Sequence, residues 1–171
     1  AAQRLIQLLE TELAFKEEDM GKALQSLKTF SDQAPSTWAR PEMIFLAQAS
    51  ARLHASAPSN ETSTQLAKST AALQRWVLLN PQDAQVWQVL ATALSAQGRA
   101  LASLRAEGEA QLARMDVGAA VDRFRAAQDA SRNASPATAD HIEASIVDSR
   151  LRYVQGLLRE QLLERQERQE R

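Results

Sequence analysis

The sequence contains no cysteine, and glycine and proline number only five each in 171 residues. Without thiols the chain can form no disulfide and can offer no sulfur ligand to a metal, whichever compartment it occupies. Aromatic residues make up only 5% of the chain, and β-branched residues are sparse beside alanine, leucine, glutamine, glutamate and arginine. Because the abundant residues are good helix formers, the composition favours an all-α fold.

The chain also lacks an excess of either charge sign, and it lacks long apolar runs. The sum of 20 Lys and Arg against 21 Asp and Glu gives a formal net charge of -1. A chain with no basic excess cannot neutralise many phosphates, so nucleic acid is not an expected partner. No run of about 18 apolar residues occurs, which predicts no transmembrane segment, and no signal-peptide pattern opens the chain. The chain begins inside an amphipathic pattern, which suggests a processed protein or one domain of a longer one.

Apolar residues recur in units of two helical stretches separated by a polar turn. The first unit consists of a helical pattern, a polar turn at 16–19 and a second helical pattern that ends at Pro35. The same order recurs up to Pro81, but here the polar segment between the helices is longer by about ten residues than a repeat period of about 34 residues needs. We interpret its Ser-, Thr- and Asn-rich residues 56–64 as a mobile insertion loop.

The spacings resemble the signature of tetratricopeptide (TPR) repeats, in which apolar, small and aromatic residues mark two antiparallel helices. Small residues at Gly108 and Ala120 would let the helices approach closely, while Phe124 fills the space between them. The resemblance implies an all-α, right-handed α-α superhelix of about eight helices. The matching residues are Trp87, Leu90 and Ala91, then Gly108, Ala120, Phe124 and Ala127, and in the first repeat Ala23, Leu27 and Pro35.

Two regions are predicted along the chain. Residues 1–136 form a degenerate TPR array, in which the repeat boundaries between 83 and 131 are ambiguous. Residues 137–171 form a long C-terminal capping helix, with Ile142 and Ile146 on the same apolar side as later leucines and valines. Near the end of the chain the apolar face is lost and charges alternate in sign, which predicts a solvated tail.

The sequence predicts no catalytic site, no metal and no cofactor. The two histidines, His54 and His141, are far apart and lie in no HExxH pattern, and the glycines are too scattered for a phosphate-binding loop. No serine or threonine stands in a nucleophile elbow. A helical enzyme with an unfamiliar site is an alternative, which a cluster of buried, strongly shifted carboxylates around either histidine would favour.

A TPR array binds a peptide or a protein domain on the concave surface lined by the first helix of each pair. The family's groove positions, carried onto this sequence, give a lining of mixed polar and apolar side chains with little net charge. It lacks the Lys, Asn and Arg set by which chaperone-binding TPR domains hold a C-terminal carboxylate. The predicted partner-binding residues are Leu8, Glu12, Phe15, Ile44, Gln48, Arg52, Gln88, Thr92, Arg105 and Glu109.

The region from Arg105 to Arg152 is similar to the C-terminal TPR region of bacterial periplasmic zinc metallopeptidases of the BepA-like kind. The runs that carry the resemblance are RAEGEAQLARMDVGAAVDRFRAAQDA and DHIEASIVDSRLR. The resemblance implies a periplasmic location and an HExxH peptidase domain upstream of this chain. It also implies that the repeats recognise outer-membrane β-barrel precursors or the machinery that inserts them. A free-standing TPR scaffold in another envelope-biogenesis or secretion complex is the alternative.

Overall fold

The computed structural model describes residues 2–134 and 140–170, and every regular element within these ranges is helical. This confirms the all-α prediction, with nine α-helices in the described ranges where about eight were expected. The helices are α1 (Ala2–Lys16), α2 (Met20–Ser26), α3 (Lys28–Ser31), α4 (Arg40–Ser56), α5 (Asn60–Leu79), α6 (Ala84–Ala96), α7 (Ala100–Ala113), α8 (Val117–Arg132) and α9 (His141–Gln169), with a 3₁₀ turn at Pro35–Thr37.

The chain divides into two compact units. The first comprises Ala1–Asn80 with Thr92–Arg99, and the second comprises Pro81–Ala91 with Ala100–Arg171. Helix α9 belongs to the second unit with α7 and α8, whereas the sequence had set it apart as a separate capping region. The predicted boundary at residue 136 lies outside the described residues.

In the first unit, α1 packs against α2, α2 packs against α4, and α1 also touches α4. Helix α5 then packs along α4. Small side chains allow these approaches, because Ala14, Ala23 and Ala49 are all fully buried in one cluster. Leu27, which the repeat pattern predicted to fill the space between the helices, is also fully buried.

The second unit repeats this order of contacts. Helix α7 packs against α8, α8 against α9, and α7 also touches α9. A Cβ atom added at Gly108 would lie 2.9 Å from the ring of Phe124, which is itself fully buried. The structure therefore confirms the prediction that a small residue at Gly108 lets α7 and α8 approach closely around Phe124.

The same kind of turn joins α1 to α2 in the first unit and α7 to α8 in the second. Glu18 and Met115 adopt left-handed backbone conformations, with φ of 59° and 63°. The next residues, Asp19 and Asp116, cap α2 and α8 by accepting a hydrogen bond from the backbone amide three residues further on, at 2.9 and 3.0 Å. The two units thus share one local solution for reversing the chain direction.

The prediction of a mobile insertion loop at 56–64 is wrong. Helix α4 continues to Ser56 and α5 begins at Asn60, so only three residues connect them. Ser59 and Thr62 form a capping box, in which the Ser59 hydroxyl accepts from the Thr62 amide at 3.1 Å and the Thr62 hydroxyl accepts from the Ser59 amide at 2.9 Å. The additional residues of this repeat therefore lengthen its helices, to 17 residues in α4 and 20 in α5.

The outer side of α9 also departs from the sequence pattern. Val147, Leu151 and Val154 are buried, but Ile142 and Ile146 are 77% and 40% exposed instead of sharing that side. The predicted solvated tail is helical as far as Gln169, and its side chains are largely exposed.

Candidate functional site

Two ion pairs join α7 and α9 in the second unit. Arg150 donates to both oxygens of Glu109, with Nε to Oε1 at 2.6 Å and Nη2 to Oε2 at 2.5 Å. Arg105 donates from Nε to Glu143. Both carboxylates are largely buried, and such groups are tolerated in a protein interior because a charged donor compensates for their lost hydration. Arg105 and Glu109, predicted to contact a partner, are therefore engaged in holding α7 to α9.

A cleft of about 500 Å³ opens beside the Arg150–Glu109 pair. Its lining combines apolar side chains with charged ones, among them Glu160 and Glu164. Glu164 also accepts a hydrogen bond from Arg168 at 3.2 Å on the exposed side of α9. The arrangement suits a bulky apolar side chain next to a cationic or hydrogen-bond-donating group. The cleft is lined by Pro81, Gln82, Glu109, Leu112, Ala113, Met115, Val117, Arg150, Tyr153, Leu157, Glu160, Gln161 and Glu164.

Tyr153 contributes an aromatic ring to the lining of this cleft, and it is not among the partner-binding residues predicted from the sequence. It is 52% exposed, and the Arg150 guanidinium carbon lies 5.1 Å from the centre of its ring. This cation–π contact orients the ring, while Glu109 holds the guanidinium by two hydrogen bonds. The sequence places Tyr153 one helical turn after Arg150, which predicts contact between the two side chains. The interpretation of α9 as a capping helix left Tyr153 out of the predicted partner-binding residues.

In the first unit, the corresponding face of α1 and α4 is aromatic. The rings of Phe15 and Phe45 lie 5.6 Å apart, and the guanidinium carbon of Arg52 lies 5.2 Å from the Phe15 ring centre. The structure thus brings together the predicted residues Phe15 and Arg52, and adds Phe45. Gln48 is half-buried on the same helix, and Glu12 is exposed.

The first unit also carries a bidentate pair between α1 and α4. Arg4 donates to Glu42 through Nε at 2.5 Å and through Nη2 at 3.1 Å, and the Glu42 carboxylate is almost fully buried. The hydrogen bond, together with the charge of Glu42, raises the pKa of the Arg4 guanidinium above its ordinary value. Arginine–carboxylate pairs therefore join α1 to α4 in the first unit and α7 to α9 in the second.

The remaining predicted residues are distributed between the two units. Gln88 is half-buried and belongs to the second unit, whereas Thr92 is exposed and belongs to the first. Leu8 is half-buried on α1, and Ile44 is buried in α4, so Ile44 is a core residue and not a groove contact.

The histidines have ordinary structural positions. His54 lies in the last turn of α4, with Nδ1 3.0 Å from the Thr62 hydroxyl, and His141 is exposed in the first turn of α9. Within residues 2–134 and 140–170, no group of three or more His, Asp or Glu side chains is placed to hold a metal ion. No helix of the described ranges is long and apolar enough to cross a membrane. Comparison of the sequence with protein-family models and with curated proteins finds no match.

Replacing Arg150 by methionine tests the ion pair that borders the cleft. We expect the free energy of unfolding to fall by about 2 kcal/mol, because Glu109 would keep its buried position without a charged donor. Arg152→Met is the matched control, since Arg152 is exposed on the same helix, and it should change stability by less than about 0.5 kcal/mol. Urea denaturation of both variants measures the difference, and equal losses would show that the pair does not hold α7 to α9.

Proposed function

We propose that this chain is a non-catalytic, TPR-type protein-binding module whose α7/α9 cleft holds a segment of a partner protein. The observation that carries the proposal is the cleft itself. Its lining includes an exposed tyrosine, and the Arg150 guanidinium that Glu109 holds contacts the face of that ring. A site held in its binding geometry loses less conformational entropy on association, which favours affinity.

The TPR assignment is supported by the way each unit is built. In both units a first helix contacts a second, the second contacts a third, and the first also reaches the third. This order is expected when helix pairs stack so that each pair contacts only its neighbours. The close approach at Gly108 and the aspartate-capped turns at Asp19 and Asp116 support the same assignment.

The resemblance of residues 105–152 to BepA-like peptidases supports a narrower form of the proposal. The chain would act in the periplasm as the recognition part of such a peptidase, and its partner would be an outer-membrane β-barrel precursor or the insertion machinery. The strands of such barrels alternate apolar and polar side chains. An unfolded strand can therefore place an apolar side chain against Leu112 and Leu157 while its polar neighbours face Glu160 and Glu164.

Binding of an unfolded barrel precursor to the purified chain tests this proposal. With a fluorescently labelled precursor and anisotropy as the readout, Tyr153→Ala should weaken binding by about tenfold or more, because aromatic residues in clefts dominate binding energies. Arg125→Ala, an exposed change on α8, is the matched control and should leave binding unchanged.

Three outcomes would separate the possibilities. Equal affinities of the Tyr153→Ala and Arg125→Ala variants would remove the cleft from the proposal. Failure of the wild-type chain to bind any barrel precursor would overturn the narrower form. Tyr153-dependent binding of a different envelope protein would instead favour the free-standing scaffold.

A further inference from the structure

Four large apolar side chains form an exposed stripe on α1. Leu5, Ile6, Leu9 and Leu13 are 63%, 55%, 65% and 51% exposed, and we call them the α1 stripe. Leu5, Leu9 and Leu13 follow one another at intervals of four residues, and Ile6 lies three residues before Leu9. Residues three or four positions apart lie on one side of a helix, so these side chains form a continuous surface along about two and a half turns.

The α1 stripe is not the side by which α1 joins its own unit. Thr11 and Ala14, on the other side of the helix, are fully buried, and Arg4 is bonded to Glu42 of α4. The helix is therefore apolar on a second side that no described residue covers. Contiguous exposed apolar surface of this kind marks an interaction site.

The charges around the α1 stripe define the chemistry of a partner. Glu10 and Glu12 are exposed beside it, and Glu17, Glu18 and Asp19 follow at its C-terminal end. The partial negative charge of the helix C-terminus has the same sign. The basic residues of α1 and α2 are Arg4, which donates to Glu42, then Lys16, and Lys22, which donates to Glu17 at 2.9 Å.

We propose that the α1 stripe is a docking site for an amphipathic helix of another protein, with an apolar face flanked by lysine or arginine. The apolar faces would pack together, and the basic flanks would meet the carboxylates at the edges of α1. This partner is distinct from the segment proposed for the α7/α9 cleft.

A second copy of the chain fits the α1 stripe poorly. Two α1 helices packed through their stripes would bring Glu10 and Glu12 of both copies towards the same interface, where like charges repel.

A synthetic helix with leucine on one face and lysine on the other, about 15 residues long, is a suitable probe. Two control peptides accompany it: one with glutamate in place of lysine, and one with the leucines and lysines rearranged so that no apolar face forms. Anisotropy should show binding of the first peptide only, with an affinity that falls as salt is added.

The double variant Leu9→Gln with Leu13→Gln should bind the leucine–lysine helix at least about tenfold more weakly. Leu78→Gln with Leu79→Gln is the matched control, because these α5 leucines are 80% and 78% exposed, and it should bind as the wild type does. Tyr153→Ala should also bind as the wild type, which keeps this result independent of the cleft.

The proposal would be overturned by any of three results. The first is equal binding by the α1 and α5 leucine variants, and the second is equal binding of the rearranged peptide. The third is a concentration-dependent dimer in analytical ultracentrifugation that the Leu9→Gln, Leu13→Gln variant abolishes, because it would identify a second copy as the occupant.

Discussion

Replacing Phe124 by alanine is expected to lower the free energy of unfolding by about 3–5 kcal/mol. The side chain is fully buried and forms a cluster with Ala120, Val121, Leu151 and Val154. Its removal would leave a cavity among α7, α8 and α9, because the helices on all sides are held by their own contacts. Urea denaturation followed by circular dichroism measures the loss.

Gly108 provides a second test of the same contact. Gly108→Ala should cost about 1–3 kcal/mol, since the added methyl group would lie 2.9 Å from the Phe124 ring. Gly156→Ala is the matched control, because nothing lies within 4 Å of its added methyl, and it should stabilise α9 by about 0.5–1 kcal/mol.

The double variant Gly108→Ala, Phe124→Leu tests whether the two positions are coupled. Its loss of stability should be smaller than the sum of the losses in the two single variants, because the smaller side chain makes room for the methyl group. A neutral Gly108→Ala, or strictly additive losses, would contradict the close approach of α7 and α8.

Thr64→Pro is expected to lower the free energy of unfolding by about 3 kcal/mol. Position 64 lies in the second turn of α5, where proline would remove the amide that continues the helix and would clash with the preceding turn. Had residues 56–64 formed a loop, proline would be tolerated there.

Asn60→Pro is the matched control for this change. Asn60 is the first residue of α5, where proline is readily accommodated, and Ser59 before it has an extended backbone with φ of −151° and ψ of 167°. Its stability should differ from the wild type by less than about 1 kcal/mol. Equal and small effects of Asn60→Pro and Thr64→Pro in thermal denaturation would contradict the helical start of α5.

The features that the sequence predicted correctly are those encoded by nearby residues. Helical periodicity predicted the paired helices, and the spacing of Gly108, Ala120 and Phe124 predicted where α7 and α8 come closest. These signals are local because a helix places residues three or four positions apart on one side, so one short segment contains the whole pattern.

Composition misled where one set of residues serves two structures. Serine, threonine and asparagine favour loops, but they are also the residues that cap a helix. Ser59 and Thr62 cap α5, so the polar segment at 56–64 is mostly an exposed helical turn. Composition alone could not distinguish a loop from a helix start. The structure distinguishes them, because the Ser59 and Thr62 hydroxyls each accept a hydrogen bond from the other residue's backbone amide.

Two of the predicted groove residues, Arg105 and Glu109, have partners within the chain that the sequence pattern did not indicate, because these partners lie far away along the chain. Arg105 meets Glu143, and Glu109 meets Arg150, across separations of 38 and 41 residues. The family's groove positions assume that side chains of the first helix face a partner. Here α9 supplies opposite charges that engage Arg105 and Glu109, whereas Tyr153 on the same helix is exposed.

Photo-crosslinking from position 153 tests most directly whether the α7/α9 cleft holds a partner segment. A photoreactive phenylalanine analogue would replace Tyr153 in the full-length protein in living cells, with the same replacement at Arg125 as the matched control. We expect position 153, and not position 125, to capture one defined segment of an envelope protein, identified by mass spectrometry. This segment should carry a bulky apolar side chain. Crosslinks that are absent from position 153, or that are the same from both positions, would contradict this expectation.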